Sequence, residues 1–285
     1  MWATKRSAPA LERASKRLVI KGLKTISSLP ESYKTETIAR LRSAVQAIQQ
    51  SQPTEHSLEE LYRDCEGLCV HNFGSDVYSM LQSEFGQHTR NCFSGICSQP
   101  DTDSPKGTAL EQVMRFWISY TQQLAMIKCV FLYLDRTYVL QTQNIASLWS
   151  MGTGVVKRYL TECDMRSRLT RLIIAEITKE RDGKDIDQKP LVTLLSMFVE
   201  LNLYTQSFIP AFIKETREYY KRESRRLVGQ LTPVKQQNAE KVSAEDVSSS
   251  ADIMDVPRYL VHVKRRLEEE RQRISDYLVP SSKDV

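Results

Sequence analysis

The stretch from Thr108 to Gln141 constrains the fold more than any other part of the chain, because it contains neither proline nor glycine. Its apolar residues recur every three or four positions, which is the spacing of one helix face. Aromatic residues lie on more than one side of this stretch, which is not the pattern of a lone surface helix. The sequence therefore predicts one long helix over residues 107–141, against which neighbouring helices pack.

Amphipathic segments with the same period lie on both sides of this stretch. The predicted helices cover residues 35–50, 57–70, 75–91, 145–163, 169–177, 190–199, 208–227 and 256–278. Ser57 and Glu60 have the spacing of a capping box at the start of the second of them. Residues 94–106 read as a loop, and no stretch alternates between apolar and polar residues like a strand. These patterns predict an all-α fold.

Composition excludes several classes of protein. With 41% hydrophobic and 26% charged residues, the chain has enough apolar content for a core, and no apolar run reaches the ~20 residues of a membrane span. No apolar segment follows the basic N-terminus as it would in a secretory signal, so we expect an intracellular protein. Residues 232–255 lack aromatic residues and are rich in Ser, Ala, Glu and Gln, which predicts a disordered insertion.

Cysteine and histidine residues are the candidates for metal or catalytic chemistry. A zinc site would draw on Cys65, Cys69, His71, His88, Cys92 and Cys97. However, Cys65 and Cys69 lie on the apolar stripe of their own helix, and no C-x2-C pair occurs. We expect buried thiols that act as small hydrophobes, and neither a metal nor another cofactor. No phosphate-binding glycine loop and no H-E-x-x-H motif occurs, so we expect no active site.

The net charge of +5 is concentrated at the N-terminus. Residues 1–24 hold seven basic side chains and one acidic side chain, so the remainder of the chain carries a net charge of −1. The basic pairs at positions 5–6 and 16–17 fit a two-part nuclear import signal and fit a solubilising tail equally well. The segment 1–34 is therefore interpreted as a flexible basic arm.

Two apolar features have no obvious partner within the chain. Leu18, Val19 and Ile20 form a cluster on the basic arm, flanked by lysines and outside any helical period. In the helix over 145–163, a second apolar stripe lies beside the stripe that serves the core. Its members are Trp149, Gly152 and Val156. Apolar groups of this kind predict contact with a partner.

Several segments, taken in order, resemble the cullin family and its cullin-4 subfamily in particular. They are KRLVIKGLK, SLEELYRDCEGLC, FLYLDRTYVLQ, LWSMG, ITKERDGKDID, LLSMFVELNLY and YLVHVKRRLEEE. The resemblance implies a cullin-repeat helical solenoid, in which five-helix repeats stack on one another. The first repeat would cover residues 35–165, and an incomplete second repeat would cover residues 166–285, with the insertion at 232–255.

The resemblance also implies a function. Cullins are non-catalytic scaffolds of ubiquitin ligases, and helices two and five of the first repeat hold an adaptor. In the cullin-4 subfamily the arm also inserts into a β-propeller adaptor of the damaged-DNA-binding type. We therefore expect such an adaptor to contact the arm, the 145–163 helix and, on the second helix, Leu58 and Tyr62.

Other expectations follow from the same resemblance. Substrate receptors would bind indirectly, and the protein would occur in the nucleus and the cytoplasm. The resemblance covers the N-terminal half of a cullin, so we do not expect this chain to bind the RING subunit or to carry the modified lysine. Two alternatives remain open, namely a basic helical protein that binds nucleic acid through its arm and a general helical-repeat scaffold.

Overall fold

The computed structural model of the protein describes residues 30–97, 108–229 and 256–278. The basic arm with its cluster of Leu18, Val19 and Ile20 lies outside the described residues, as does the predicted insertion at 232–255. Throughout the described ranges, helices are joined by turns and short loops, and no strand occurs there. The expected all-α fold is confirmed.

The described ranges contain the following helices in chain order. They are α1 Glu31–Gln49, α2 Leu58–Val70, α3 Gly74–Cys97, α4 Ala109–Val130, α5 Leu148–Glu162, α6 Met165–Arg181, α7 Gln188–Glu200, α8 Ile209–Gly229 and α9 Val256–Asp276. Between α4 and α5 lie a short turn of α-helix, Leu132–Leu134, and a π-helical turn, Asp135–Val139. A second π-helical turn, Tyr204–Phe208, precedes α8.

Local sequence signals fix several helix ends. The amide of Glu60 donates to Ser57 Oγ at 3.2 Å and the amide of Ser57 donates to Glu60 Oε2 at 3.0 Å, which confirms the capping box of α2. At the end of α6, Gly183 adopts a φ of 80°, and its N–H donates to the Glu180 carbonyl at 2.9 Å. The next amide donates back to the Lys179 carbonyl at 3.0 Å, completing a Schellman cap.

The α4 helix is the spine that the sequence predicts. It packs against the three helices that precede it in the chain, α1, α2 and α3. It also packs against the three that follow it, α5, α6 and α7. Its buried side chains are Leu110, Val113, Trp117, Tyr120, Leu124, Ile127 and Val130. They belong to a continuous apolar core that extends from Leu41 in α1 to Leu278 after α9.

The spine is interrupted, and the prediction of one unbroken helix over 107–141 is wrong. Phe131 leaves helical geometry with a φ of −98° and a ψ of 22°, and the π-helical turn follows. The wider turn places Leu134 and Val139, five positions apart, in the core and leaves Leu140 78% exposed. No proline or glycine marks this change in the sequence, so the apolar spacing alone did not reveal it.

The α3 helix is longer than predicted. It continues to Cys97, so the first part of the expected loop over 94–106 is helical, and residues 98–106 lie outside the described ranges. Phe93 and Ile96 are both buried and extend the apolar stripe of α3 by one turn. Among the described helices, none is long and apolar enough to cross a membrane.

Candidate partner-binding surface

The outer face of α2 presents apolar side chains to solvent. Its inner stripe, formed by Leu61, Cys65 and Leu68, is buried in the core. Leu58, the first residue of the helix, is 47% exposed, and Tyr62 lies one turn further on and is half-buried. Residues four apart on a helix are neighbours on its surface, so these two side chains lie side by side. Leu58 is exposed and Tyr62 is partly exposed, and their predicted contact with an adaptor stays a prediction.

A third side chain of this surface comes from the segment after α4. The ring of Tyr133 meets the ring of Tyr62 edge to face, with 6.4 Å between the centroids and an interplanar angle of 86°. Edge-to-face contact between aromatic rings is a favourable geometry that fixes both side chains. We call Leu58, Tyr62 and Tyr133 the α2 surface. The sequence interpretation missed Tyr133, because it continued one helical phase past Phe131, where the helix is interrupted.

The charges around the α2 surface compensate one another. Arg63 and Glu59 form an ion pair at 2.6 Å on the exposed side of α2. Arg40 of α1 and Asp64 form a second pair at 3.0 Å. The Arg63–Glu59 pair is exposed and contributes little to stability, whereas the Arg40–Asp64 pair is partly buried. They leave the centre of the surface apolar and aromatic, which is the composition of an interface core.

The acidic and aromatic residues that follow Tyr133 have structural roles. Asp135 Oδ1 accepts a hydrogen bond of 3.1 Å from the backbone N–H of Leu148, the first residue of α5. The ring of Tyr138 lies where a Cβ on Gly74 would approach it to 2.9 Å, so α3 begins directly against this ring. The conspicuous LDRTY sequence therefore joins the end of the spine to the starts of α3 and α5.

The expected second apolar stripe of α5 faces the core and not a partner. Val156 is fully buried. A Cβ at Gly152 would lie 2.7 Å from Leu124 Cδ1, so the glycine lets α5 approach α4 closely. The hydroxyl of Tyr120 donates to the Gly152 carbonyl at 2.9 Å. The prediction that Gly152 and Val156 contact a partner is wrong for this arrangement, since both serve the contact between helices.

Trp149 joins two helices of the solenoid. Its indole N–H donates to Glu200 Oε1 at 2.7 Å, and its half-buried ring packs against the core. Glu200 is the last residue of α7, so Trp149 links the start of α5 to the end of α7. The predicted contact of Trp149 with an adaptor stays a prediction. The predicted contacts of Leu18, Val19 and Ile20 also stay predictions, since those residues lie outside the described ranges.

The candidate metal ligands are separated into pairs. Cys65 and Cys69 lie on α2, whereas His88 and Cys92 lie on α3, with 3.7 Å between Cys92 Sγ and His88 Nε2. Within the described ranges, no three His, Cys, Asp or Glu side chains are arranged to hold a metal ion. Burial raises the pKa of the Cys92 thiol and lowers the pKa of the His88 imidazole. Both shifts favour a neutral pair, which is the opposite of an activated thiolate.

The described part of the chain thus defines an all-α helical-repeat protein with an apolar, aromatic surface on its second helix. Comparison with known families shows to which family of helical-repeat proteins the chain belongs. The family described as "Cullin alpha solenoid domain" matches residues 38–285, and the chain belongs to the cullin family.

Individual relatives agree with this assignment. Cullin-4A of Homo sapiens is 32% identical over 265 residues, which is 93% of this chain and 32% of the relative. Cullin-4 of Dictyostelium discoideum is 31% identical over 273 residues, which is 95% of this chain and 31% of the relative. Cullin-3 of the same organism is 24% identical over 248 residues, which is 85% of this chain and 28% of the relative. The chain therefore spans about a third of the length of these relatives.

Proposed function

We propose that this protein is a non-catalytic scaffold of a cullin-RING ubiquitin ligase that binds a β-propeller adaptor of the damaged-DNA-binding type. Two sites on the chain would hold the adaptor, namely the α2 surface and the arm cluster Leu18, Val19 and Ile20. Substrate receptors would join through the adaptor. The observation that carries the proposal is the α2 surface itself, an exposed leucine beside a fixed pair of tyrosines in a member of the cullin family.

Physical considerations favour this surface as the main contact. The two tyrosine rings contact each other in the free protein, so they lose little conformational freedom when a partner covers them. Aromatic residues are enriched among those that contribute most to binding energy. The arm would add contact area at a cost in ordering entropy, so its loss should weaken binding without abolishing it.

The test is a titration of purified variants against a recombinant β-propeller adaptor of this type. Leu58→Glu places a carboxylate at the centre of the surface and should weaken binding by at least about 100-fold, because burying an unpaired charge costs several kcal/mol. Val19→Asp in the arm should weaken it less. Val192→Glu is the matched control, since Val192 is exposed to a similar extent on α7 and should bind like the parent.

Circular dichroism of each variant controls for folding, since Leu58 and Val192 are both exposed and neither change should alter helix content. Equal affinity of Leu58→Glu and Val192→Glu would refute the α2 surface as the contact. No binding of the parent protein would refute the choice of adaptor. The same proposal places the protein in the nucleus and the cytoplasm, which imaging of a fluorescent fusion would test.

A further inference from the structure

A cavity of about 530 Å³ lies between the end of α1, the second half of α3 and the neighbouring side of α4. Its volume is in the range of small-molecule sites in proteins. Leu58, Tyr62 and Tyr133 do not line it, so the cavity is separate from the α2 surface. The proposed adaptor contact therefore leaves this cavity without a role.

Aromatic rings form one wall of the cavity. The rings of Phe116 and Tyr120 stack with 5.3 Å between their centroids and an interplanar angle of 30°. The imidazole of His88 lies nearly parallel to the Tyr120 ring, with 6.2 Å between the centroids and an angle of 11°. Cys92 and Ile96 of α3 also line the cavity. A wall of this composition favours a flat, apolar ring.

Two glutamine amides also line the cavity. Gln49 is 7% exposed, and its Nε2 has no hydrogen-bond partner within the described ranges. Gln123 Nε2 donates to the Gln49 carbonyl and to Ser119 Oγ, both at 2.9 Å, which fixes the orientation of the Gln123 amide. Gln123 Oε1 is also buried and accepts no hydrogen bond from a described group. Because a buried polar atom without a partner is unfavourable, both amides would gain from a ligand that supplies one.

The charges at the cavity favour a neutral ligand. Arg115 lines the cavity, but it pairs with Glu111 at 3.2 Å. Burial lowers the pKa of the His88 imidazole, and the neighbouring Gln123 amide only opposes this shift, so the imidazole is neutral at pH 7. A phosphate or carboxylate would lose its hydration here without gaining an unpaired positive charge among the described lining residues.

A primary carboxamide matches the two glutamines. Its carbonyl oxygen would accept a hydrogen bond from Gln49 Nε2, and its N–H would donate to Gln123 Oε1. The two side chains are neighbours, because Gln123 is bonded to the Gln49 backbone. Gln49 can turn toward such a group without giving up a hydrogen bond at Nε2.

We propose that this cavity binds a neutral aromatic carboxamide. The aromatic ring of the ligand would pack against Phe116 and Tyr120, and its amide would pair with Gln49 and Gln123. The site does not depend on the adaptor contact, so its failure would leave the adaptor proposal untouched.

The test uses Cys92 as a reporter, because this thiol lines the cavity and is half-buried, whereas Cys129 and Cys163 are exposed. Labelling of each thiol of the full-length protein by N-ethylmaleimide is followed by mass spectrometry in increasing concentrations of benzamide. Saturating benzamide should slow labelling of Cys92 on the order of tenfold, since thiol reactivity depends on access. Half of this effect should be reached at roughly 10 mM, as expected of so small a ligand. The labelling rates of Cys129 and Cys163 should not change.

Two further probes separate hydrogen bonding from ring contact and charge. Acetophenone has the same ring and carbonyl, with a methyl group in place of the NH₂ group. It should protect Cys92 at concentrations on the order of tenfold higher than benzamide, because it has no donor for Gln123 Oε1. Benzoate carries a charge and should protect Cys92 less well than benzamide.

A variant tests the Gln49 amide directly. Gln49→Leu keeps most of the side-chain volume and removes a buried amide nitrogen that has no partner, so its thermal stability should not fall. Its protection by benzamide should weaken on the order of tenfold. Gln122→Leu is the matched control, since Gln122 is exposed on α4 outside the cavity lining and this variant should behave like the parent.

Several outcomes would overturn the proposal. Equal protection of Cys92 by benzamide and acetophenone, or protection by neither, would do so on the parent protein alone, even if Gln49→Leu failed to fold. Unchanged protection in a folded Gln49→Leu variant would also overturn it. Equal slowing at Cys92, Cys129 and Cys163 would show that benzamide acts without a site, which contradicts the proposal.

Discussion

Several of the residues that most clearly identify this sequence stabilise the fold. Asp135 holds the first amide of α5 from a position 13 residues earlier in the chain. Tyr138 packs where α3 begins, and the Tyr78 hydroxyl donates to the Ala146 carbonyl at 3.0 Å just before α5. Of this motif, only Tyr133 contributes to the α2 surface. A recognisable motif therefore marked the place where three helices meet.

Asp135 should stabilise the start of α5 by capping it. Asp135→Ala removes the acceptor of the Leu148 amide and should lower the free energy of unfolding by about 1 kcal/mol, measured by urea denaturation. Asp135→Asn keeps an acceptor oxygen and loses only the charge at a helix N-terminus, which contributes ~0.3–1 kcal/mol. The free energy of unfolding of Asp135→Asn should therefore lie between those of the parent and the alanine variant. An alanine variant as stable as the parent would show that Ser147 alone caps the helix.

At the scale of whole helices, apolar spacing predicted where each helix lies but not always which face is covered. The spine, the α2 capping box and the all-α class followed from local spacing, because each depends on residues close in sequence. The π-helical turn after Phe131 did not, since no residue type requires it. On α5, the sequence could not show that Leu124 of another helix already fills the space beside Gly152. On α9, Glu270 lies on the packed face because Arg181, far away in sequence, is buried against it.

The ion pair between Arg181 and Glu270 should make docking of α9 sensitive to acid. Burial would raise the pKa of the Glu270 carboxyl, but the hydrogen bonds and charge of Arg181 hold that pKa below its ordinary value of 4.5. A carboxyl whose pKa is lowered by folding stabilises the fold above about pH 4.5, and this contribution disappears as the pH falls through the lowered pKa.

Glu270→Gln tests this dependence. At neutral pH it leaves Arg181 buried without its counter-charge, a loss that typically costs ~3–5 kcal/mol. The difference in free energy of unfolding from the parent should be full at pH 7. It should shrink as the pH falls from about 4.5 through the lowered pKa of Glu270, where the parent carboxyl also becomes neutral. The measurement is urea denaturation across this pH range. A difference that does not change with pH would mean that the charge of Glu270 contributes nothing.

At the scale of the whole molecule, the spine joins helices of the first repeat to a helix of the neighbouring second repeat. In a solenoid, each repeat contacts only its neighbours, and a destabilised repeat can open alone. Here α4 packs against α2 near the start of the chain and against α7 beyond α6, within one continuous core. Trp149 and Glu200 add a hydrogen bond between α5 and α7.

The described helices should therefore unfold as one cooperative unit, which Leu68→Ala in α2 can test. Leu68 is fully buried, and its truncation should cost ~2–5 kcal/mol. In native-state hydrogen exchange, the protection of buried α7 amides such as those of Leu194 and Leu195 should fall by the same free energy as the protection of α2 amides. Leu58→Ala, an exposed change on the same helix, should leave both unchanged. Loss of protection in α2 with full protection in α7 would contradict this prediction. It would show that the two parts unfold independently and that α4 couples only the helices next to Leu68.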